Sequence, residues 1–530
     1  MRRWNGWGDD TVTYTLPETA LSFLYDWIGR PCIPRDMTLE AVIAGASESR
    51  LADHPMIQRD ADSRLRHARG QSFPDWVALR SGRIGRLPDG VVYPATADDV
   101  RTTLEYARRI GARLIPYGGG TSVVGHINPP ADDAPIITVD LSRMHQLLHL
   151  DEKSLLATFG AGVRGPDLEA QLHARGYTLG HFPQSFEYST LGGWIATRSS
   201  GQQSLHYGRV ESWFVGGVIE TPVGRLTIPN VPASAAGPDL RELVLGSEGR
   251  AGVITQATVR LSPLPERDDF HAVFFPDFEV GMEAVRGMAQ ARLPLSMLRL
   301  STAVETETLL ALAGHRSLIH MLERLLKLRG IGDQKAMLML GYTGRRALGA
   351  ATLRAALSMA RQQGGVHVPF MFGSQWQRSR FRTPYLRNAL WEAGFGVDTL
   401  ETATTWANTP AMIRAIESAL GGALAEIDEK VHVFTHLSHI YPHGTSIYTS
   451  YIFRLADDPD EMLRRWSLLK RAASEAIVQR GGTISHQHGV GADHLPYMEA
   501  EKGALGLAAL RQVLAEWDPE GLMNPGKLVS

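Results

Sequence analysis

Apolar residues recur along this chain with more than one period. In the first 85 residues the spacing is helical: Leu21 to Ile28 and Leu39 to Ala46 each build one apolar helix face. From about Pro88 short apolar strands alternate with helices. Val91 to Tyr93 reads as a strand, Asp98 as the cap of a helix reaching about Ile110 with Val100, Leu104 and Ala107 on one face, and the Leu114 strand follows. Ile136 to Asp140, Leu155 to Phe159 and Trp213 to Ile219 add strands. Beyond Pro265 long helical patterns, Ala350 to Gln363 and Pro410 to Ile427, mix with strands such as Met337 to Tyr342 and Ile447 to Phe453. The pattern predicts an α+β molecule in four parts: a helical segment (1–85), a mixed domain (86–265), a second α+β domain (266–480) and a returning C-terminal segment (481–530).

Glycine-rich stretches interrupt this pattern. The Arg113 to Tyr117 strand runs into Gly118, Gly119 and Gly120, then Thr121 and Ser122. Three consecutive glycines cost backbone entropy and suit positive φ or very close approach. Inward-turned amides there would make an anion nest, with two hydroxyls as further donors; a plain strand-to-loop turn is the alternative. Gln184 to Gly201 is dense in small, hydroxyl and glycine residues around Trp194 and Ile195, which suits a backbone threaded against an extended polar ligand better than an exposed loop. Gly246 to Ile254 is a third such turn. Gly160-Ala-Gly-Val-Arg-Gly165 spells a dinucleotide fingerprint, with Glu187 downstream. That reading needs a second buried parallel strand, and Tyr177 to Gln184 is polar and broken by Gly180 and Pro183, so a tight turn packing a helix onto its sheet is expected instead.

Composition narrows the class. With 530 residues, 44% hydrophobic and 21% charged, the chain has ample core for several units. Its 54 Lys and Arg against 56 Asp and Glu give a net charge of -2, which argues against nucleic acid as a partner. Cys32 is the only cysteine, so no internal disulfide forms and a reducing compartment is expected. Met1 to Asp10 has no apolar signal-peptide core, and no uncharged apolar run reaches the roughly 18 residues of a spanning helix. A cytoplasmic chain, membrane-peripheral at most, is expected.

Histidines supply the titratable chemistry. His486 and His488 alternate and would share one side of an extended segment. His432, His436, His439 and His443 precede them, and read at helical spacing could bind zinc, but no acidic partner completes a ligand set, so no metal is assigned and protonatable active-site imidazoles are favoured.

The glycine-rich stretches together resemble the flavin-binding domain of the vanillyl-alcohol-oxidase (PCMH) type FAD enzymes, and within them the alkylglycerone-phosphate synthase family. The likeness begins at Arg3-Trp-Asn-Gly-Trp-Gly8 and ends in Ser485-His-Gln-His-Gly489 and Trp517 to Lys527. It implies a two-part FAD-binding domain over 86–265, completed by 481–530, with a cap over 266–480. It places FAD against Pro116, Tyr117, Gly118, Gly119, Gly120, Thr121 and Ser122. It adds Gln184, Ser185, Phe186, Glu187, Tyr188, Ser189 and Thr190, with Thr197, Arg198, Ser199 and Ser200. Glu248, Gly249, Arg250, Ala251, Gly252, Val253 and Ile254 complete the set. Thr121 stands where covalently flavinylated relatives often carry histidine, so dissociable FAD is expected. The resemblance makes Arg387 the anchor of a substrate phosphate, where a surface salt bridge is the plain alternative. It makes Tyr448 an acid/base phenol, which needs a nearby cation to work as a base. Arg299, His486 and His488 complete the implied catalytic set, and Gln487 replaces a middle histidine.

The implied reaction exchanges the acyl group of acyl-dihydroxyacetone phosphate for a fatty alcohol through a flavin N5 adduct, in ether-lipid synthesis. The alternatives are an FAD-dependent D-2-hydroxyacid dehydrogenase or oxidase, and an FAD-free scaffold. Lipid substrates, peripheral membrane contact and a homodimer are the partners this likeness admits.

Overall fold

The strands seen in the hydrophobic pattern assemble into three main sheets in the computed structural model, which describes residues 1–313, 316–368 and 371–529. β1 (Ile57–Gln58), β2 (Gly90–Val92), β3 (Arg113–Tyr117) and β4 (Ile136–Asp140) form the first, in the order β1-β2-β4-β3. β2 and β3 both run parallel to β4, and the Ala97–Ile110 helix carries the chain between β2 and β3. The cap of that helix lies two residues before the one expected. Thr96, not Asp98, is the N-cap: its hydroxyl accepts from the Asp99 amide while the Asp99 carboxylate accepts from the Thr96 amide. This reciprocal box satisfies two orphan donors at once, whereas Asp98 sits in the first turn.

β5 (Leu147–Asp151), β6 (Leu156–Gly160), β7 (Tyr177–Thr178), β8 (Phe214–Thr221), β9 (Gly224–Ile228), β10 (Val253–Arg260) and β11 (Ser262–Pro263) follow. Five of them make an antiparallel sheet in the order β5-β6-β10-β8-β9, and β7 pairs only with β11. The Gly160–Gly165 turn therefore follows an antiparallel strand, with no parallel partner for a dinucleotide fold. Its glycines serve packing: a Cβ on Gly162 would lie 1.7 Å from the Leu141 carbonyl oxygen.

The third sheet holds β12 (Arg267–Phe275), β13 (Met297–Ser301), β14 (Ala336–Gly344), β15 (Val366–His367), β16 (Phe395–Thr405), β17 (Val431–Tyr441) and β18 (Gly444–Arg454), antiparallel throughout, in the order β15-β12-β14-β13-β17-β18-β16. Alternation decides what each face does. Leu298, Leu300, Leu338, Leu340, Leu437 and Ile447 are buried together with Met282, Met288, Ile416 and Ile477 of the covering helices. The intervening positions, Met297, Arg299, Met337, Met339, His436 and Tyr448, face a cavity. His432, His436 and His439 thus lie on a strand, which replaces the helical spacing read from the sequence; β-branched and aromatic neighbours outweigh the i, i+4 pattern.

The two chain ends dock on different parts of the fold. The amide of Leu114 donates to the Leu522 carbonyl and the amide of Asn524 to the Leu114 carbonyl, so the C-terminus becomes an edge partner of β3. At the other end, Trp7 docks on Asn388. The Trp7 amide donates to Asn388 Oδ1 (3.1 Å) and Asn388 Nδ2 donates to the Trp7 carbonyl (2.9 Å), both buried. Replacing Asn388 by Ala strands two buried backbone groups, at about 1–3 kcal/mol each. Asn388→Ala is expected to lower the melting temperature and open residues 1–10 to protease, read by calorimetry and limited proteolysis.

Candidate active site

One cavity of about 920 Å³ runs from the glycine loop to the third sheet. Pro116, Tyr117, Gly118, Gly119, Gly120, Thr121 and Ser122 form its floor, joined by Gln184, Ser185, Ser189, Thr190, Thr197, Ser199, Ser200, Glu248, Gly249, Gly252 and Ile254. Among the described residues, no carbonyl or side chain accepts a hydrogen bond from the amides of Gly119, Gly120, Thr121 or Ser122. Buried donors of this kind need a partner, and a row of them at a cavity wall suits an anion. The glycines also allow the floor to close. A Cβ on Gly118 would lie 2.2 Å from Thr190 Oγ1, and one on Gly119 1.9 Å from the Tyr188 carbonyl oxygen. Gly120 holds φ +61, open to glycine at no steric cost.

The remaining residues of these stretches stand behind the wall. Phe186 stacks on Phe381, with centroids 5.0 Å apart, and Tyr188 meets the edge of Trp7 at 5.6 Å. Glu187 faces Tyr385, and burial raises its carboxyl above the ordinary range. Arg198 pairs with Glu211 (3.3 Å) and with Glu242. Arg250 donates to the Met523 carbonyl, while Ala251 and Val253 are core. These seven shape the cavity from outside it.

Glu248 ties three segments together. Its carboxylate accepts from the amides of Val490 and Gly491 and lies 3.1 Å from His126 Nε2, while His126 Nδ1 meets Ser122 Oγ at 2.7 Å. Asn524 Nδ2 donates to both the Glu248 and His126 carbonyls. The loop carrying His488 is thereby fixed against the floor.

The opposite wall is a polar row across the third sheet. Register pairs Glu401 with Tyr448 and Tyr448 with His436, so the three side chains stand side by side. The Tyr448 ring stacks on His436 at 4.9 Å and meets the edge of His488 at 5.9 Å. Burial pushes the Tyr448 phenol up to about 12, and the nearby charge of Arg387 offsets only part of this. The cation sought from the sequence is present, yet the phenol is held as an acid. Arg299 donates to Glu305 Oε1 (2.6 Å), which also lies 2.9 Å from His436 Nδ1. Burial works against ionisation of Glu305, but His436 and Arg299 outweigh it and hold its carboxyl below the ordinary range. Arg387 lies half-buried over the Trp76 ring at 4.4 Å and donates to the Gln71 carbonyl (2.7 Å). Among the described residues no carboxylate pairs with it, so the salt-bridge alternative fails and a half-buried cation lines the cavity.

His486 and His488 do not share a side. The segment bends, so Gln487 and His488 reach the cavity, while His486 turns away to Glu401, Tyr441 and Arg209. Glu401 supplies the acidic neighbour that the sequence did not reveal, and Glu401, His439 and His486 offer three ligand atoms within 4.8 Å of one another. Arg209 can only donate, and its Nη1 lies 3.2 Å from His486 Nε2, which leaves the ring proton on Nδ1, facing Glu401. A protonated nitrogen has no lone pair for a metal, so the donor set fits proton exchange better. Glu305, Glu401, Arg209 and Tyr441 were not singled out in the sequence. The one available signal was a lone acid in Thr399-Leu-Glu-Thr-Ala-Thr-Thr405.

A family model described as the C-terminal domain of FAD linked oxidases matches residues 264–528, and one described as an FAD binding domain matches 88–228. The chain belongs to the FAD-linked oxidase family. Its cofactor is FAD, and the unpaired amides, glycine contacts and cavity size fit that group. Members of the FAD-linked oxidase family similar to this chain include the alkyldihydroxyacetonephosphate synthase of Trypanosoma brucei brucei, 29% identical over 99% of this chain and 92% of that one. The same enzyme of Dictyostelium discoideum is 27% identical over 99% and 93%. A solved alkyldihydroxyacetonephosphate synthase structure superposes with a TM-score of 0.83 at 24% identity, covering 99% of each chain, which shows the shared fold.

Because the Gly119 Cβ position is filled by backbone, Gly119→Ala is expected to part the floor from Tyr188 and weaken FAD at least roughly tenfold, the scale of one lost charge-assisted contact. Flavin fluorescence titration of the purified apoprotein measures this.

Proposed function

We propose that this protein is an alkylglycerone-phosphate synthase-like enzyme that replaces the acyl group of acyl-dihydroxyacetone phosphate with a fatty alcohol. The observation carrying this reading is the shape of the cavity. Beyond its polar floor it continues into an arm lined by Phe23, Leu24, Leu309, Leu312, Ile319 and Phe434. An arm of that composition suits an alkyl chain and has no use for a small hydroxy acid.

FAD, when bound, supplies the electrophilic ring position to which the dihydroxyacetone-phosphate carbon attaches. The chain's own residues do the rest. Arg387, half-buried and without a carboxylate partner among the described residues, offers a planar fork of donors to the phosphate. Tyr448, held as a phenol, gives its proton to the departing carboxylate and recovers one from the entering alcohol. His436 stacks on that ring, and Arg299 with Glu305 fixes the imidazole from behind. His488 closes the other edge of the phenol. The exchange leaves the flavin oxidised, despite the family's name. Incubation with acyl-dihydroxyacetone phosphate and labelled hexadecanol is expected to give the alkyl product without flavin bleaching. Arg387→Ala should raise KM about 10- to 100-fold, and Tyr448→Phe should cut kcat on the order of 10²-fold. Bleaching by a D-2-hydroxy acid, with no alkyl product, would favour the oxidoreductase reading.

The same arm supports membrane-peripheral work. The Arg316–Lys327 helix carries Ile319 into the arm, and its outer surface exposes Met321 and Leu325, with Leu328 just beyond, at 56%, 54% and 82%. Arg324 and Arg329, exposed beside them, complete an amphipathic surface suited to an anionic bilayer, and no described helix is long and apolar enough to cross one. Leu325→Glu with Leu328→Glu is expected to reduce co-sedimentation with phosphatidylglycerol vesicles at least roughly tenfold, since each buried leucine is worth about 1.5–3 kcal/mol.

A further inference from the structure

Ser438 and His439, at the cavity wall, begin a chain of polar side chains that leads away from it through the third sheet. Ser438 Oγ donates to Glu401 Oε1 at 2.7 Å, and His439 Nε2 lies 3.9 Å from the same oxygen. Glu401 Oε1 is 3.1 Å from His486 Nδ1, and His486 Nε2 is 2.7 Å from the Tyr441 hydroxyl. Tyr441 ends β17 beside exposed Pro442 and His443, its ring 6.0 Å from that of His443. Glu401, His439 and His486 are buried at 2%, 7% and 6% exposure, so water does not replace any link.

We propose that Tyr441, His486 and Glu401 form a proton relay joining the FAD cavity to the outer rim of the third sheet. The hydrogen-bond directions set its resting state. Arg209 donates to His486 Nε2 and lies 3.4 Å from the Tyr441 oxygen, so the imidazole proton sits on Nδ1 toward Glu401. Glu211, 3.4 Å from Arg209, balances that cation. Burial alone would raise Glu401, but the His486 ring beside it outweighs this and keeps the carboxyl well below its ordinary range, so a base is always present at the inner end. His439 is kept neutral by burial, at about 3, and its Nδ1 is held by the Ser200 and Ser204 hydroxyls, which aims Nε2 at Glu401.

An inward transfer runs in three steps. The Tyr441 hydroxyl gives its proton to His486 Nε2 and takes one from solvent. The imidazolium releases its Nδ1 proton to Glu401, and Glu401 passes a proton to Ser438 Oγ, 2.7 Å away, whose hydroxyl gives up its own proton to the cavity. Each group gains and loses one proton, and rotation of the His486 ring, or transfer in the opposite sense, restores the start. The cavity thereby exchanges protons through the third sheet.

The test requires no lipid substrate, so it stands apart from the synthase reading. Dithionite reduction of bound FAD consumes two electrons and one proton from the cavity. In the holoenzyme, flavin bleaching and proton uptake reported by a pH-indicator dye are followed together by stopped flow. Glu401→Gln and Tyr441→Phe are both expected to slow the two signals on the order of 10²-fold and to introduce a solvent deuterium effect absent from the parent. Glu401→Asp should recover most of the rate. Tyr441 does not line the cavity, so Tyr441→Phe decides the matter should the Glu401 variant lose FAD. Parent rates of bleaching and uptake in Tyr441→Phe, with FAD bound, overturn the relay.

Discussion

Unsatisfied donors set the terms for this molecule. Among the described residues the amides from Gly119 to Ser122 meet no acceptor, and a row of such N–H groups at a cavity wall is tolerable only when something else accepts from them. The protein's answer is to bring every other segment to that loop. The Tyr188–Thr190 backbone closes over it, Glu248 with Asn524 draws in the C-terminal loop, and Arg2 of the N-terminus reaches Tyr117 and the Gly120 carbonyl. Parts of the chain separated by several hundred residues share one boundary with the cavity.

Much of this was legible in the sequence because glycine is legible. Gly118 to Gly120 have neighbours inside van der Waals contact of a hypothetical Cβ, so no other residue type fits, and the letters themselves record the close approach. Two strands of the third sheet, Met337 to Tyr342 and Ile447 to Phe453, were also readable, and there alternation separates Leu338, Leu340 and Ile447 beneath the helices from Met337, Met339 and Tyr448 at the cavity. What sequence could not give was which alternating residue meets which. Glu401, His436 and Tyr448 stand in one row only because three strands pair in a particular register, and register is a tertiary fact. The helical spacing of His432, His436 and His439 and the same-sided reading of His486 and His488 failed for that reason. Periodicity was applied where strand pairing and a bend decide orientation.

The electrostatics of the two walls differ in kind. At the floor, neutral dipoles and hydroxyls face the cavity. Facing the third sheet, ions occur as compensated pairs, Arg299 with Glu305 and Arg209 with Glu211, while among the described residues no carboxylate pairs with Arg387 or Arg380. Tyr448 lies between these regimes. Its phenol is kept neutral by burial while imidazoles on two sides offer sites for its proton.

The clasp between Trp7 and Asn388 spans 381 residues of chain. During synthesis the N-terminal residues leave the ribosome first, yet their partner is made only after most of the third sheet's strands have been translated. A domain assembling from its N-terminus as it emerges must therefore hold this aromatic hairpin in reserve. A segment translated early thus settles into place only once residue 388 has been made.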